Sequence, residues 1–385
     1  MAFLDSPQRG HKNIPGQEQV TPPNSAQSTA SKTTFYSSPS NSTTNQNFET
    51  PWKKFQQSPR KCIEEYSRSF FEDHPDLMIG IDIRNINSSA DQARAVKRFK
   101  AVTNLIEKHL NQGEHIISAL ITQFENYFLW KYNQFLDQLK KSENFDKYIV
   151  EPVVSKATID LQQFIIIVYE AIDQFYCLSN LSLGEFNLFN RSNMLNFVTR
   201  LIFRPRIYEV MFSLYALKFK EIEQTYRSNL AYCFNLKPKD FDIPVDLLDI
   251  DYNKAIKRLQ KLKNKTSPIK KLKVIFKTVQ LIKQSIDDSD KTKEKNSLSS
   301  DEILSMFMYV LVKSQTTDVV THCRLIEEFT TENALNSALG YYAVTLEICV
   351  NYLCNLEVAR NGGVLDRFSE GFKLFIQTLE KKASY

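Results

Sequence analysis

The chain has 385 residues, a formal net charge of +5 at pH 7, 9 glycines, 27 phenylalanines and 17 tyrosines. This length leaves room for two domains and a tail. Scarce glycine and abundant aromatic residues favour helices around an aromatic core and argue against a glycine-rich sheet protein. No run of about 18 apolar residues is present, and the N-terminus lacks the charged and then apolar pattern of a secretion signal. We therefore expect a cytoplasmic protein without a transmembrane helix.

Cysteine and histidine spacing argues against metal and disulfide chemistry. The 6 cysteines include no pair separated by two residues, and the 5 histidines show no metal-binding spacing. We expect reduced thiols and no metal site. A glycine-rich nucleotide-binding loop is missing as well. The sequence therefore predicts neither a cofactor nor covalent enzyme chemistry.

The first 60 residues are rich in Ser, Thr, Asn, Gln and Pro and poor in apolar side chains. Such a composition buries too little surface to offset the entropy that is lost on ordering. We predict a disordered tail over residues 1–60.

Helical periodicity dominates after this region, and we predict an antiparallel helical bundle over residues 90–217. Asn111-Gln112-Gly113 should end the first helix, and Glu151-Pro152 should interrupt the chain ahead of a helix over 161–178. Pro205 should separate two further helices, over 190–204 and 207–223.

A second helical domain is predicted over residues 218–363, so the expected fold class is all-α. An amphipathic helix is expected over 252–262, and Ser267-Pro268 should begin the next helix, because Pro is tolerated in a first turn. A glycine-containing break then precedes an amphipathic helix over residues 364–385. That last helix either packs back on the bundle or docks elsewhere.

The stretch from Ser299 to Thr345 is the most informative part of the chain. Ser299 and Glu302 form a capping-box pattern ahead of an apolar helical face, so a helix should begin there. Asp301 lies in the first turn, where the helix dipole favours negative charge. Tyr341 begins a second apolar run 40 residues later (341 − 301). Two helix N-termini side by side would place a carboxylate and a phenol at one surface, next to a hydrophobic groove.

Four short motifs occur in a fixed order within this region. They are Ser299-Ser300-Asp301-Glu302, Tyr309-Val310-Leu311-Val312-Lys313, Leu325-Ile326-Glu327-Glu328-Phe329 and Leu339-Gly340-Tyr341-Tyr342. With the helices just upstream, they resemble the vacuolar protein sorting-nine (Vps-nine) domain, in particular that of Rab exchange factors similar to the Rabex family. The resemblance covers residues 247–356.

The resemblance implies a guanine-nucleotide exchange factor for a Rab GTPase of the Rab-five, early endosomal, subfamily. It assigns an acidic finger to Asp301 and contact with the GTPase switch region to Tyr341. It also implies a hydrophobic groove for switch side chains, for which the candidates are Ser305, Met308, Val312, Tyr342, Val344 and Thr345. A helical bundle ahead of the exchange core is a further implication.

Two positions depart from the family pattern. Ser305 stands where the family usually has Pro, and Val344 stands where it usually has Thr. Thr345 lies about 100° further round the helix and is no obvious replacement. These departures leave open a second hypothesis, a non-catalytic Rab-binding scaffold with the same fold.

A basic run without acidic residues lies ahead of the central stretch. Its members are Lys254, Lys257, Arg258, Lys261, Lys263, Lys265, Lys270, Lys271, Lys273 and Lys277. The run is compatible with a solvated helix face or with attraction to an anionic endosomal membrane surface. Nucleic-acid binding is not expected, because no recognised motif accompanies the charge. We expect a monomer that is recruited peripherally to endosomal membranes.

Overall fold

A computed structural model describes residues 92–111, 115–141, 147–176, 178, 188–289, 298–356 and 371–372. The tail predicted over 1–60 lies outside these residues, as does nearly all of the helix predicted over 364–385. Across the described residues the fold is all-α, as predicted, with α-helices and short 3-10 turns and without a β-strand.

Within the described residues, five helices form the N-terminal bundle. They are α1 (Gln92–Leu110), α2 (Ile116–Lys141), α3 (Lys147–Tyr176), α4 (Arg191–Ile202) and α5 (Pro205–Lys218). Asn190 caps α4 by accepting a hydrogen bond from the main-chain N–H of Asn193 (2.9 Å). Pro205 occupies the first turn of α5. The end predicted for the first helix and the separation predicted at Pro205 are both confirmed.

Seven further helices lie in the described residues 219–289 and 298–356. They are α6 (Lys220–Cys233), α7 (Asn253–Leu259), α8 (Pro268–Asp287), α9 (Ser300–Ser314), α10 (Val319–Phe329), α11 (Glu332–Leu335) and α12 (Ala338–Asn355). Short 3-10 turns cover Pro238–Phe241, Val245–Leu247 and Gln260–Leu262. The start of α8 directly after Ser267 agrees with the sequence prediction.

Two predicted helix limits in the bundle are wrong. α3 continues through Pro152, which lies within its first two turns and is exposed. Proline has no N–H, so it gives up one helical hydrogen bond, and at this exposed position near the start of the helix the loss is tolerated. The helix predicted over 207–223 is divided at Phe219, whose φ of −103° and ψ of 15° end α5 and precede α6.

Two hydrophobic cores hold these helices. α1 to α5 build the first core, in which the rings of Phe124 and Phe164 stack in parallel at 3.7 Å. α6 to α12 build the second core around residues such as Phe307. Phe219 packs against both cores. The domain limits 90–217 and 218–363 remain predictions.

Helix α10 contributes side chains to both cores. Leu325 and Phe329 pack into the first core, where the ring of Phe329 meets that of Phe203 edge-on at 4.9 Å. Val319 and Ile326 of the same helix pack into the second core. The bundle and the second helical group therefore share one helix.

Helix α6 makes side-chain hydrogen bonds to the ends of two other helices of the second group. Glu223 accepts hydrogen bonds from the main-chain N–H and the hydroxyl of Thr321 (3.1 and 3.3 Å), at the start of α10. Asn229 donates from its amide to the carbonyls of Leu353 and Leu356 (2.7 and 3.1 Å), at the end of α12. These bonds satisfy main-chain groups that a helix leaves unpaired at its ends.

Candidate functional site

The N-terminus of α9 carries an exposed carboxylate. Ser299 Oγ accepts a hydrogen bond from the N–H of Glu302 (3.2 Å), and Glu302 Oε2 accepts one from the N–H of Ser299 (2.8 Å), so the predicted capping box is confirmed. Asp301 is exposed and makes no hydrogen bond or ion pair with another residue that the structure describes. The capping box engages Glu302, and this leaves Asp301 as the carboxylate available to an outside partner.

Tyr341 joins the N-terminus of α12 to that of α9. Ser337 caps α12 by accepting a hydrogen bond from the N–H of Leu339 (3.2 Å), and Tyr341 follows in the same turn. The phenol of Tyr341 is 53 % exposed and donates a hydrogen bond to Ser300 Oγ (3.3 Å), the residue before Asp301. The structure therefore places a half-exposed phenol and an exposed carboxylate at neighbouring helix ends.

Gly340 explains how Tyr341 reaches this position. Gly340 is buried against the end of α11, and a Cβ atom built on it would overlap the main-chain carbonyl of Leu335. Only a residue without a side chain allows α12 to begin so close to α11. The glycine thus sets the position from which Tyr341 faces α9.

Three predicted groove residues flank Tyr341 on α12. Val344 is 52 % exposed, and Tyr342 is half-buried with its ring edge-on to that of Tyr341 at 5.1 Å. Thr345 is buried and donates from Oγ1 to the carbonyl of Tyr341 (3.1 Å), so its hydroxyl is already engaged within the helix. Ser305, in the second turn of α9, is 8 % exposed.

Met308 and Val312 do not line an accessible surface, contrary to the sequence-based prediction. Both side chains are 0 % exposed and belong to the second core. Helices α6, α7, α8 and α12 surround α9, so the face that carries these residues is covered. Their contribution is to support the exposed turn of α9 from beneath.

Two half-buried apolar side chains near the site were not among the predicted residues. Leu304 lies one turn after Ser300 on α9, and Ile348 lies one turn after Val344 on α12. Tyr341, Val344 and Ile348 share a helix face because they follow at intervals of three and four residues. That spacing is visible in the sequence and would have identified Ile348. The exposed apolar surface of the site is therefore this face of α12.

The family model of the Vacuolar sorting protein 9 (VPS9) domain matches residues 252–358. Residues 252–358 are a VPS9 domain. The range begins just before α7, ends just after α12, and includes both helix N-termini of the site. VPS9 domains bind Rab GTPases and act as their guanine-nucleotide exchange factors in vesicle trafficking. The match confirms the resemblance to the Vps-nine domain and indicates Rab exchange activity in general. The similarity to the Rabex family remains a prediction.

The VPS9 domain carries an exposed basic surface on α7 and α8. Its exposed members are Lys254, Lys257, Lys261, Lys263, Lys270, Lys273 and Lys277. Partial burial and then the positive charges of Arg200, Lys100 and Lys270 lower the pKa of Lys273. Lys100 and Arg200 belong to α1 and α4 of the bundle, and Arg200 is paired with Glu107 (2.8 Å).

In the described ranges, no group of three or more His, Cys, Asp and Glu side chains is arranged to hold a metal ion. No helix among those ranges is long and apolar enough to cross a membrane. The described cysteines are free thiols, and burial raises the pKa of the Cys349 thiol.

Proposed function

We propose that this chain promotes GDP release from a Rab GTPase of the Rab-five, early endosomal, subfamily, as exchange factors of the Rabex family do. The observation that supports this most directly is the hydrogen bond from Tyr341 to Ser300. It sets a half-exposed phenol beside the turn that presents Asp301, within a VPS9 domain.

Asp301 acts as the acidic finger in this proposal. A GTPase holds its nucleotide through a P-loop lysine and a Mg²⁺ ion that face the phosphates. A carboxylate brought into that site competes for the lysine and repels both the phosphates and the metal-bound oxygens. Nucleotide affinity falls without any covalent bond being formed or broken, so the exchange factor itself needs no cofactor.

Tyr341 and the apolar face of α12 hold the switch region of the GTPase away from the nucleotide. The phenol of Tyr341 donates or accepts a hydrogen bond at the switch, and Val344 and Ile348 pack against its apolar side chains. Tyr342, Thr345 and Ser305 shape this surface from its edges. Met308 and Val312 act indirectly, through the packing of α9.

The basic surface on α7 and α8 is proposed to face anionic lipid on the endosome. Clustered lysines near an anionic surface contribute about 1 kcal/mol each and lose this contribution as salt rises. The chain would act as a monomer in the cytoplasm and associate peripherally with endosomal membranes. No nucleic-acid partner is proposed.

A second candidate function is a Rab-binding scaffold without exchange activity. Ser305 and Val344, the two departures from the family pattern, favour it. Val344 is exposed within the proposed contact surface and has no hydroxyl to donate. A scaffold would bind a Rab and leave its rate of GDP release unchanged.

The test is release of a fluorescent GDP analogue from a panel of purified Rab proteins, with and without the full chain. Asp301→Ala should slow the accelerated release by about 10- to 100-fold, the value of a lost charge-assisted interaction. Asp246→Ala is the matched control, because Asp246 is exposed in a first turn but lies outside the VPS9 match. Binding without acceleration would establish the scaffold, and equal rates for both variants would refute the acidic finger.

A further inference from the structure

Tyr342 is held from the side of α8. Lys283 Nζ donates a hydrogen bond to the hydroxyl of Tyr342 (3.2 Å) and lies 5.8 Å from the centre of its ring. The ring of Phe276 packs against that of Tyr342 at 5.7 Å, tilted by 54°. Lys283 and Phe276 are both half-buried, two turns apart on one face of α8. They fix Tyr342 at its hydroxyl and at its ring.

Tyr342 in turn sets the ring of Tyr341. The two rings meet edge-on, with centroids 5.1 Å apart and planes at 77°. This arrangement is one that aromatic pairs favour, and a fixed partner ring restricts the side-chain torsions of the other. The hydroxyl of Tyr341 then donates a hydrogen bond to Ser300 Oγ. A continuous series of contacts thus leads from α8, through α12, to the turn of α9 that carries Asp301.

Tyr341 needs such a support because half of its surface is exposed. An exposed aromatic side chain samples several rotamers, and each competing rotamer reduces the fraction that is ready to meet a partner. Its own bond to Ser300 is a neutral hydrogen bond at a surface, which contributes little in water. The bond from Lys283 to Tyr342 is charge-assisted and half-buried, and such bonds are stronger.

We propose that Lys283 is a positioning residue for Tyr341. It acts through Tyr342, and it lies outside the set of residues that the sequence motifs single out. The effect of Lys283 on exchange rests on the proposed function, whereas its effect on the orientation of Tyr341 does not.

The variants separate the effect of the hydrogen bond between Lys283 and Tyr342 from the effect of the positive charge of Lys283. Lys283→Met removes the donor and keeps the stem, and Tyr342→Phe removes the acceptor and keeps the ring. Lys283→Arg restores a charged donor. Lys277→Met is the matched control, since Lys277 is an exposed lysine of α8 without a side-chain hydrogen bond to another described residue.

The first measurement is the exchange rate as a function of exchanger concentration, without membranes. Lys283→Met and Tyr342→Phe should each lower kcat/KM by about three- to tenfold, less than Asp301→Ala, because the lost hydrogen bond acts on Tyr341 only through Tyr342. The double variant should be no slower than either single variant, because both remove the same bond. Lys283→Arg should retain most of the rate, and Lys277→Met all of it.

The second measurement does not depend on exchange activity. In the chain labelled at its tyrosine rings, the NMR signals of Tyr341, assigned with Tyr341→Phe, should shift in Lys283→Met and Tyr342→Phe and stay in place in Lys277→Met. Unchanged signals in both variants would overturn the inference, whatever the exchange assay gives. Shifted signals with unchanged exchange rates would overturn the role of Lys283 in exchange. If the unmodified chain accelerates no Rab, the proposed function fails, and the NMR result alone decides the positioning.

Discussion

Lys271 Nζ lies 3.3 Å from Nδ1 of His322, in the interior of the protein. The two side chains are 0 % and 1 % exposed. The amino group also donates to the hydroxyl of Tyr208 (3.0 Å) and to the carbonyl of Leu262 (3.1 Å). Which of the two nitrogen atoms donates depends on the protonation of Lys271 and on the tautomer of His322. Burial lowers the pKa of Lys271 to about 7, and burial together with Lys271 holds the pKa of His322 well below its ordinary value.

Lys271 should make stability rise with pH above neutrality. Its pKa is about 7 in the folded chain against the ordinary 10.5, so between these values the unfolded chain binds more protons and the folded state gains stability as pH rises. The gain is about 1.4 kcal/mol per pH unit at most. Lys271→Met should remove this slope, which urea unfolding at several pH values measures.

The slope of stability with pH is the test for Lys271, because the substitution also removes the hydrogen-bond partner of Tyr208, Leu262 and His322 and so lowers stability at every pH. Lys277→Met, at an exposed lysine of the same helix, should keep the slope of the unmodified chain. An unchanged slope in Lys271→Met would show that Lys271 keeps an ordinary pKa.

Gly340→Ala should destabilise the chain and disturb the site. The added Cβ would overlap the backbone of Leu335, so α11 or the start of α12 has to move, at about 2–4 kcal/mol. Gly371→Ala is the matched control, since among the described residues its Cβ would meet the hydroxyl end of Tyr352, a movable side chain. Thermal unfolding of both variants decides the point. Equal stability of the two variants would mean that α11 can move away from the added Cβ without a loss in the free energy of unfolding.

Val344→Thr should raise the exchange rate while leaving stability unchanged. Val344 is 52 % exposed, and surface substitutions of this size alter stability by less than about 0.5 kcal/mol. The new hydroxyl lies on the helix face of Tyr341 and adds a hydrogen bond to the bound GTPase, for about a three- to tenfold gain in kcat/KM. Val245→Thr, at an 84 % exposed site outside the VPS9 match, should leave the rate as it is. A lower rate in Val344→Thr would contradict this account.

Asn229→Ala should weaken the link between α6 and the VPS9 domain. It removes the donor to the carbonyls of Leu353 and Leu356, with an expected loss of about 1–3 kcal/mol in the free energy of unfolding. Urea unfolding of the full chain measures it. Asn264→Ala, at an exposed asparagine, should cost far less. A similar loss in both variants would mean that water replaces the amide at the end of α12.

Signals that act within one helical turn were readable from the sequence. The capping box of Ser299 and Glu302 and the start of α8 at Pro268 lie where the sequence places them, because each depends on neighbouring residues alone. Pro152 misled the prediction, since packing on both sides of a long helix outweighs one missing hydrogen bond.

Burial on a helix that is surrounded was not readable. Periodicity divides a helix into one apolar and one polar face, whereas α9 is covered on several sides, so Met308 and Val312 lie in the core. Lys271 belongs to the basic run for which a solvated helix face or a membrane-facing surface was expected, but its side chain is 0 % exposed. Lys271 lies three residues after Pro268 and four before Ile275, on the buried face of α8. This spacing indicated burial, but a charged residue is not expected on a buried face.

Helix α10 couples the two groups of helices to each other. Leu325 and Phe329 are buried in one core, and Val319 and Ile326 are buried in the other. The two groups of helices therefore cannot separate without exposing apolar side chains of α10. Heating should therefore melt bundle and VPS9 domain in one transition. If a GTPase binds at α9 and α12, as proposed, both groups of helices should resist deformation together, and the conformational change should occur in the GTPase.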